Sequence, residues 1–222
     1  MDKDKNESLL AVALESNFTL EFASFLLKSN ALRFGAFTLS SGKPSPYYID
    51  LRMLPSFPEH FRLTVEALKN TINDKIGPNF DLLVSVPTSG LVFGSALAYA
   101  MEKPFAYVRN ESKSHGTSKL VEGHLRSGAR ALIVDDVATT GNSVGHAVDV
   151  IRANGGIVDD VVALVNRMEG AEEHLKKMSV RLTTVTSVDD IANALNAAGL
   201  IDDNTLDSVM KQVASRGDYE LE

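Results

Sequence analysis

Two adjacent aspartates sit in the stretch richest in chemistry, Ala131-Leu132-Ile133-Val134-Asp135-Asp136-Val137-Ala138-Thr139-Thr140-Gly141-Asn142-Ser143. An apolar strand delivers both acids at its carboxyl end, and small hydroxyl residues with Gly141 lead into a helix. Backbone N–H groups at a helix start, joined by Thr and Ser hydroxyls, form a cradle for a phosphate dianion. Carboxylates accept hydrogen bonds, so Asp135 and Asp136 suit the vicinal hydroxyls of a ribose. A sugar with a 5-phosphate fits acids and cradle together. The plainer alternative is a solvated turn with a helix cap, and the full run from 131 to 143 argues against it.

A polar stretch runs from Arg109 to Gly128 and has no periodicity. Structureless stretches of that length in a compact domain are usually functional. Nothing in the chain pairs a nucleophile with a base.

Several elements must position these groups. Apolar spacing predicts a helix over about 19–30 and another from Pro58 to about Lys75. Ala31 to Arg52 is irregular, with Ser40 to Pro46 as loop and Tyr47 to Leu51 as a short strand. From Asp81 the pattern is strand, small-residue loop, helix. Strands are expected at Leu82–Val86, Phe105–Val108, Ala131–Val134, Val158–Val165 and Arg181–Val185, with helices at Leu91–Met101 and Asn142–Ala153. Val188 to Ala214 is helical. Alternating elements with continuous apolar strands indicate an α/β fold, a doubly wound and mainly parallel sheet flanked by helices. Such folds bind ligands at the carboxyl ends of their strands.

Composition narrows the function further. The 222 residues carry 22 Lys and Arg against 29 Asp and Glu, a formal charge of −7, which makes a poor generic polyanion binder. Cysteine is absent, excluding disulfides, thiolate metal sites and a cysteine nucleophile. His60, His115, His124, His146 and His174 show no zinc-ligand spacing. No apolar run approaches the roughly 18 residues of a membrane span, and Met1 to Glu7 is charged where a signal peptide is apolar. These features lead us to expect a cytoplasmic protein that engages neither nucleic acid nor membrane.

The run at 131–143 resembles the phosphoribosyl diphosphate signature of the type I phosphoribosyltransferases, two acids followed by a Thr-Thr-Gly turn. No Gly-x-x-x-x-Gly-Lys and no strand-borne Gly-x-Gly-x-x-Gly competes with it. Two further segments resemble one branch, the orotate phosphoribosyltransferases. Arg33-Phe34-Gly35-Ala36-Phe37-Thr38-Leu39-Ser40-Ser41-Gly42-Lys43-Pro44-Ser45-Pro46-Tyr47-Tyr48-Ile49-Asp50-Leu51-Arg52 is similar to their N-terminal hood. Tyr107-Val108-Arg109, continuing through Lys113 and His115-Gly116, is similar to their mobile catalytic loop.

The resemblance implies conversion of orotate and 5-phospho-α-D-ribose 1-diphosphate (PRPP) to orotidine 5′-phosphate and pyrophosphate with Mg²⁺, in de novo pyrimidine synthesis. It implies a homodimer with shared active sites. Asp135, Asp136, Val137, Ala138, Thr139, Thr140, Gly141, Asn142 and Ser143 would bind the ribose 5-phosphate moiety. Thr88, Ser89 and Gly90 would form the pyrophosphate loop. Arg109, Lys113 and His115 would bind pyrophosphate as catalytic groups, typically from the neighbouring subunit. Tyr48 and Ile49 would lie beside orotate, with Thr139 and Arg167 in contact with it; a guanidinium can hold the orotate carboxylate through two parallel hydrogen bonds. No dedicated protein metal site is implied, since Mg²⁺ would be held mainly through PRPP.

Ser40, Ser89 and Asn110 stand where one branch of the family has lysines, and Lys43 lies close by in sequence. The expected division is a hood over 1–55, a PRPP-binding core over 56–200 and a C-terminal helix and tail over 201–222. The competing readings are transfer to another base and a regulator that senses PRPP. The hood and Arg167 count against the former; the retained 109–116 segment and the lack of a helix-turn-helix signal count against the latter.

Overall fold

The structure, a computed structural model, describes residues 18–39, 42–109 and 120–216. Lys113 and His115, with Ser40 and Asn110, lie outside the described residues. The chain forms two compact units, residues 54–185 and residues 1–53 with 186–222.

The larger unit is built on a six-stranded sheet of β3 (Leu82–Ser85), β4 (Phe105–Val108), β5 (Val121–Glu122), β6 (Ala131–Ala138), β7 (Asp160–Asn166) and β8 (Arg181–Ser187), whose last two residues fall in the other unit. The strand order is β5-β4-β3-β6-β7-β8, with β4, β3, β6 and β7 parallel and β5 antiparallel. The connection out of β3 runs to β4 on one side, and that out of β6 runs to β7 on the other. The winding therefore reverses between β3 and β6, and the crevice at their carboxyl ends is where such sheets bind ligands.

Helices α2 (Pro58–Lys75), α3 (Ser89–Met101), α4 (Asn142–Ala153) and α5 (Ala171–Lys177) cover the sheet. Leu82, Val84, Ala131 and Ile133 alternate onto one face and pack with Val144, Ala147, Val148 and Ile151 of α4. Leu83, Leu132 and Val134 point to the other face, where α2 and α3 supply the buried Leu68, Ile72, Phe93 and Leu97. At the amino ends of the strands, Asp81, Arg126, Arg130, Asp159, Asp160 and Arg181 form exposed ion pairs, which contribute little stability.

The smaller unit joins α1 (18–28), an antiparallel hairpin of β1 (Leu32–Thr38) and β2 (Pro44–Ile49), α6 (Val188–Ala197) and α7 (Asp203–Arg216). Ser45 of β2 donates from its hydroxyl to Gln212 Oε1 of α7 at 3.2 Å. Phe22, Phe25 and Leu26 of α1, Ile191 and Leu195 of α6 and Val209 of α7 are buried. Residues 186–200, which the sequence grouped with the core, thus fall with the N-terminal segment.

The sequence pattern matched the limits of β4 and α4 residue for residue, gave the start of α2 with an approximate end, and treated β1 as irregular. A bulge between Phe34 and Phe37, at Gly35, interrupts the alternation that would have marked it. Pro44 and Pro46 stand in β2 because a two-stranded ribbon has free edges that need no proline donor. β6 extends past Val134 to Ala138, so Asp135 and Asp136 are strand residues flanked by β7 rather than the head of a loop. α3 begins at Ser89 within the expected loop, and β5 falls within the polar stretch.

Candidate active site

Asp135 and Asp136 occupy β6 at the reversal point. Asp135 pairs with Ala163 of β7, while its other neighbour β3 has ended at Ser85, opposite Val134. Beyond that end the chain passes through a cis peptide between Pro87 and Thr88 and enters α3 at Ser89. The first turn of α3 rests directly on the acids. A Cβ at Gly90 would lie 2.9 Å from Asp135 Oδ1 and 3.2 Å from the Val134 carbonyl oxygen, so only glycine permits this approach. Ser89 lies close enough to the Asp136 carboxylate to oppose the rise in its pKa. Two of the three residues expected to form the pyrophosphate loop are thereby brought against the acids expected to bind ribose.

Burial raises the pKa of both carboxyls. For Asp135 the rise is well above the ordinary 3.8, with the charge of Asp136 adding to it. For Asp136 burial is opposed by hydrogen bonds and by Ser89. The Asp136 backbone N–H donates to Asp135 Oδ1 at 2.9 Å. Two adjacent, poorly hydrated carboxylates resist simultaneous ionisation, which makes them receptive to hydroxyl donors and to a cation.

Past Ala138 the chain turns through Thr139 and Thr140 into α4. Gly141 caps α4 with φ +82°, and a Cβ there would lie 3.2 Å from Ala171 Cα, so the left-handed turn and the close passage of α5 both demand glycine. The N–H groups of Asn142 and Ser143 lie in the first turn of α4, where the helix itself supplies no acceptors.

Arg167 follows the last residue of β7, beside Thr139. Its N–H donates to the Ala138 carbonyl at 2.9 Å, and the Ala171 N–H donates to the Thr139 carbonyl at 3.1 Å. The side chain is 7% exposed and pairs through Nε with Glu169 Oε1 at 2.9 Å. Thr139 and Arg167, expected to share a ligand, are therefore neighbours.

Arg109 ends β4. Its Nη1 reaches Glu122 Oε1 of β5 at 3.3 Å, and its N–H donates to the Leu120 carbonyl at 2.8 Å. In the smaller unit, Tyr48 and Ile49 point to opposite faces of β2: Ile49 is buried beside Tyr47, while Tyr48 is half-buried. Arg33, opposite Tyr48 on β1, places its guanidinium 5.1 Å from the Tyr48 ring centroid and 5.5 Å from that of Phe37. Arg52 Nη2 donates to the Tyr48 hydroxyl at 3.3 Å and pairs with Asp50, whose carboxyl it holds below the ordinary range. Glu169 escaped the sequence reading, which took Arg33 and Arg52 only as the ends of the hood segment. Arg33 and Tyr48 meet across a hairpin whose register only the structure supplies, and the Arg-x-Glu pair meets through a turn.

Among the described residues no group of three or more His, Asp or Glu could hold a metal. The adjacent carboxylates do suit Mg²⁺, which takes one or two protein oxygens and completes its shell with water and substrate phosphates.

The phosphoribosyl transferase domain matches residues 58–196. An orotate phosphoribosyltransferase of Cenarchaeum symbiosum is 47% identical over 196 residues, 88% of this chain and 96% of that one. The crystal structure of orotate phosphoribosyltransferase from Aeropyrum pernix superposes with TM-score 0.71 at 37% identity, covering 81% of this chain and 99% of that one. Leishmania donovani UMP synthase gives TM-score 0.79 at 30% identity over 89% of this chain, which spans 42% of that longer protein. The chain belongs to the orotate phosphoribosyltransferases, a branch of the phosphoribosyltransferase family.

Proposed function

We propose that the protein transfers the phosphoribosyl group of PRPP to orotate, releasing pyrophosphate, as a step of pyrimidine nucleotide synthesis. The observation that carries this reading is the meeting of Asp135 and Asp136 with the first turn of α3 at the reversal point, and of Arg167 with Thr139 at the next strand end.

In this reading the Asp135 and Asp136 carboxylates accept hydrogen bonds from the ribose hydroxyls. The 5-phosphate sits on the turn from Thr139 to Ser143 and the start of α4. Thr88, Ser89 and Gly90 take the pyrophosphate, with Arg109, Lys113 and His115 neutralising the charge that grows on it as its bond to C1 breaks. A ring nitrogen of orotate takes its place at C1, while Arg167 and Thr139 hold the base. Mg²⁺ would be held mainly through PRPP, with Asp135 and Asp136 as the protein carboxylates nearest to it, and would supply further neutralisation of the pyrophosphate.

A base panel tests the reading. With PRPP and Mg²⁺ the protein should consume orotate and leave adenine, hypoxanthine and uracil untouched; comparable turnover of a purine would overturn the orotate assignment.

We further infer a cytoplasmic homodimer in which Lys113 serves the partner's site; among the described residues no helix is long and apolar enough to cross a membrane. Mixing inactive Lys113→Ala with inactive Asp135→Asn gives hybrids in which one site carries both defects and the other none. Activity should return to roughly half of the hybrid sites, as two-fold symmetry requires. Exchange without recovery would mean that each subunit uses its own Lys113.

A further inference from the structure

We propose that Glu169 is a positioning residue that aims Arg167, and through it sets how well the site recognises a carboxylated base. The inference rests on the reading of Arg167 as the group that receives the orotate carboxylate.

The turn between β7 and α5 is built to bring these two side chains together. Asn166, 8% exposed, accepts the Met168 N–H at 2.8 Å through Oδ1. Met168 then adopts φ +57° and Gly170 φ +97°, two left-handed residues within one short turn. The chain is tied down on either side by the bonds from Arg167 to Ala138 and from Ala171 to Thr139. Glu169 thus returns over Arg167, and its carboxylate meets Nε at 2.9 Å, with side chains 10% and 7% exposed.

Engagement of Nε has a directional consequence. A guanidinium is planar and presents its five N–H donors in a fixed fork, so fixing Nε fixes the plane and direction of the two Nη groups. A carboxylate approaching the Nη edge then meets a preset fork instead of a side chain that must first be ordered. Glu169 also neutralises a buried cation when no base is bound. Its task is orientation through an oxygen acceptor at a given reach, so acceptor position matters more than charge.

That distinction sets the test, beginning with a wild-type control. If the wild type does not turn over orotate, the functional reading fails before any Glu169 variant is considered. With that control met, Glu169→Ala should raise KM for orotate by about tenfold or more, the scale of a misaligned contact, with kcat and KM for PRPP within about threefold. Glu169→Gln keeps the acceptor at the same reach and should stay within about threefold of wild type in KM for orotate. Glu169→Asp keeps the charge but falls one methylene short, so it should be weaker than Gln; the opposite order would overturn orientation in favour of charge. Glu169→Ala should add nothing to the loss in Arg167→Ala, because a residue acting through Arg167 has no effect without it. Additive losses, equal losses for orotate and PRPP, or an unchanged KM for orotate in Glu169→Ala would each overturn the proposal. If Glu169→Ala does not fold, the order of Gln and Asp still decides.

Discussion

Asp135→Asn is expected to lower kcat/KM for PRPP by about a hundredfold, the scale of weakened hydrogen bonds to a charged group, and yet to melt at a higher temperature than the wild type at pH 7. Both outcomes have one cause. Burial, reinforced by the charge of Asp136, raises the Asp135 pKa well above its unfolded value near 3.8. A carboxyl with a raised folded pKa binds its proton more tightly in the folded state, so its contribution to stability is greatest at low pH. That contribution is lost as pH rises through the folded pKa. At neutral pH, above the unfolded pKa, that contribution is already declining and burial of this carboxyl weakens the fold relative to a neutral amide; about 1 kcal/mol corresponds to roughly 2–4 °C in a domain of this size. PRPP use has the opposite dependence, since only the carboxylates accept fully from the ribose hydroxyls. Wild-type kcat/KM for PRPP should fall with decreasing pH while ordinary carboxylates are still ionised. Calorimetry of the variant and a pH profile of the wild type check both halves. A variant that melts lower with normal PRPP kinetics would show Asp135 to be structural.

Arg167→Ala should cost about 2–4 kcal/mol in kcat/KM for orotate, the scale of losing a charge-assisted bidentate contact, with PRPP affinity near that of wild type. The side chain is buried and ion-paired, so some loss of stability is expected too, as Glu169 keeps its charge without this partner. The informative quantity is the ratio of effects on the two substrates, read from initial rates with each varied in turn. Equal losses would assign Arg167 to the scaffold.

The parts of this fold that could be read from the sequence are those with strong local signals. Continuous apolar strands, the Pro58 start of α2 and the Asn-Gly-Gly stop after α4 marked their elements directly. The site motif was legible because the acids, the hydroxyls and Gly141 are contiguous. What escaped depends on tertiary geometry. β1 lost its alternation to a bulge; α5, seven residues with only Ala171 and Leu175 buried, is too short to show a period; α6 and α7 are separate helices because Gly199, with φ +68°, turns the chain between them. The contact of Gly90 with Asp135 joins residues 45 positions apart, which no local pattern encodes. Glu169 is the instructive omission. An Arg and a Glu two apart do not face each other on a helix, and they meet here only because Met168 takes a left-handed conformation between them.

The most direct test of the central claim is a single reaction followed by phosphorus NMR, with PRPP, Mg²⁺ and orotate supplied to the wild-type protein. The account predicts that PRPP disappears only when orotate is present, with one pyrophosphate and one orotidine 5′-phosphate formed for each PRPP consumed. Consumption of PRPP without orotate, release of ribose 5-phosphate in place of the nucleotide, or indifference to orotate while another base is ribosylated would contradict it.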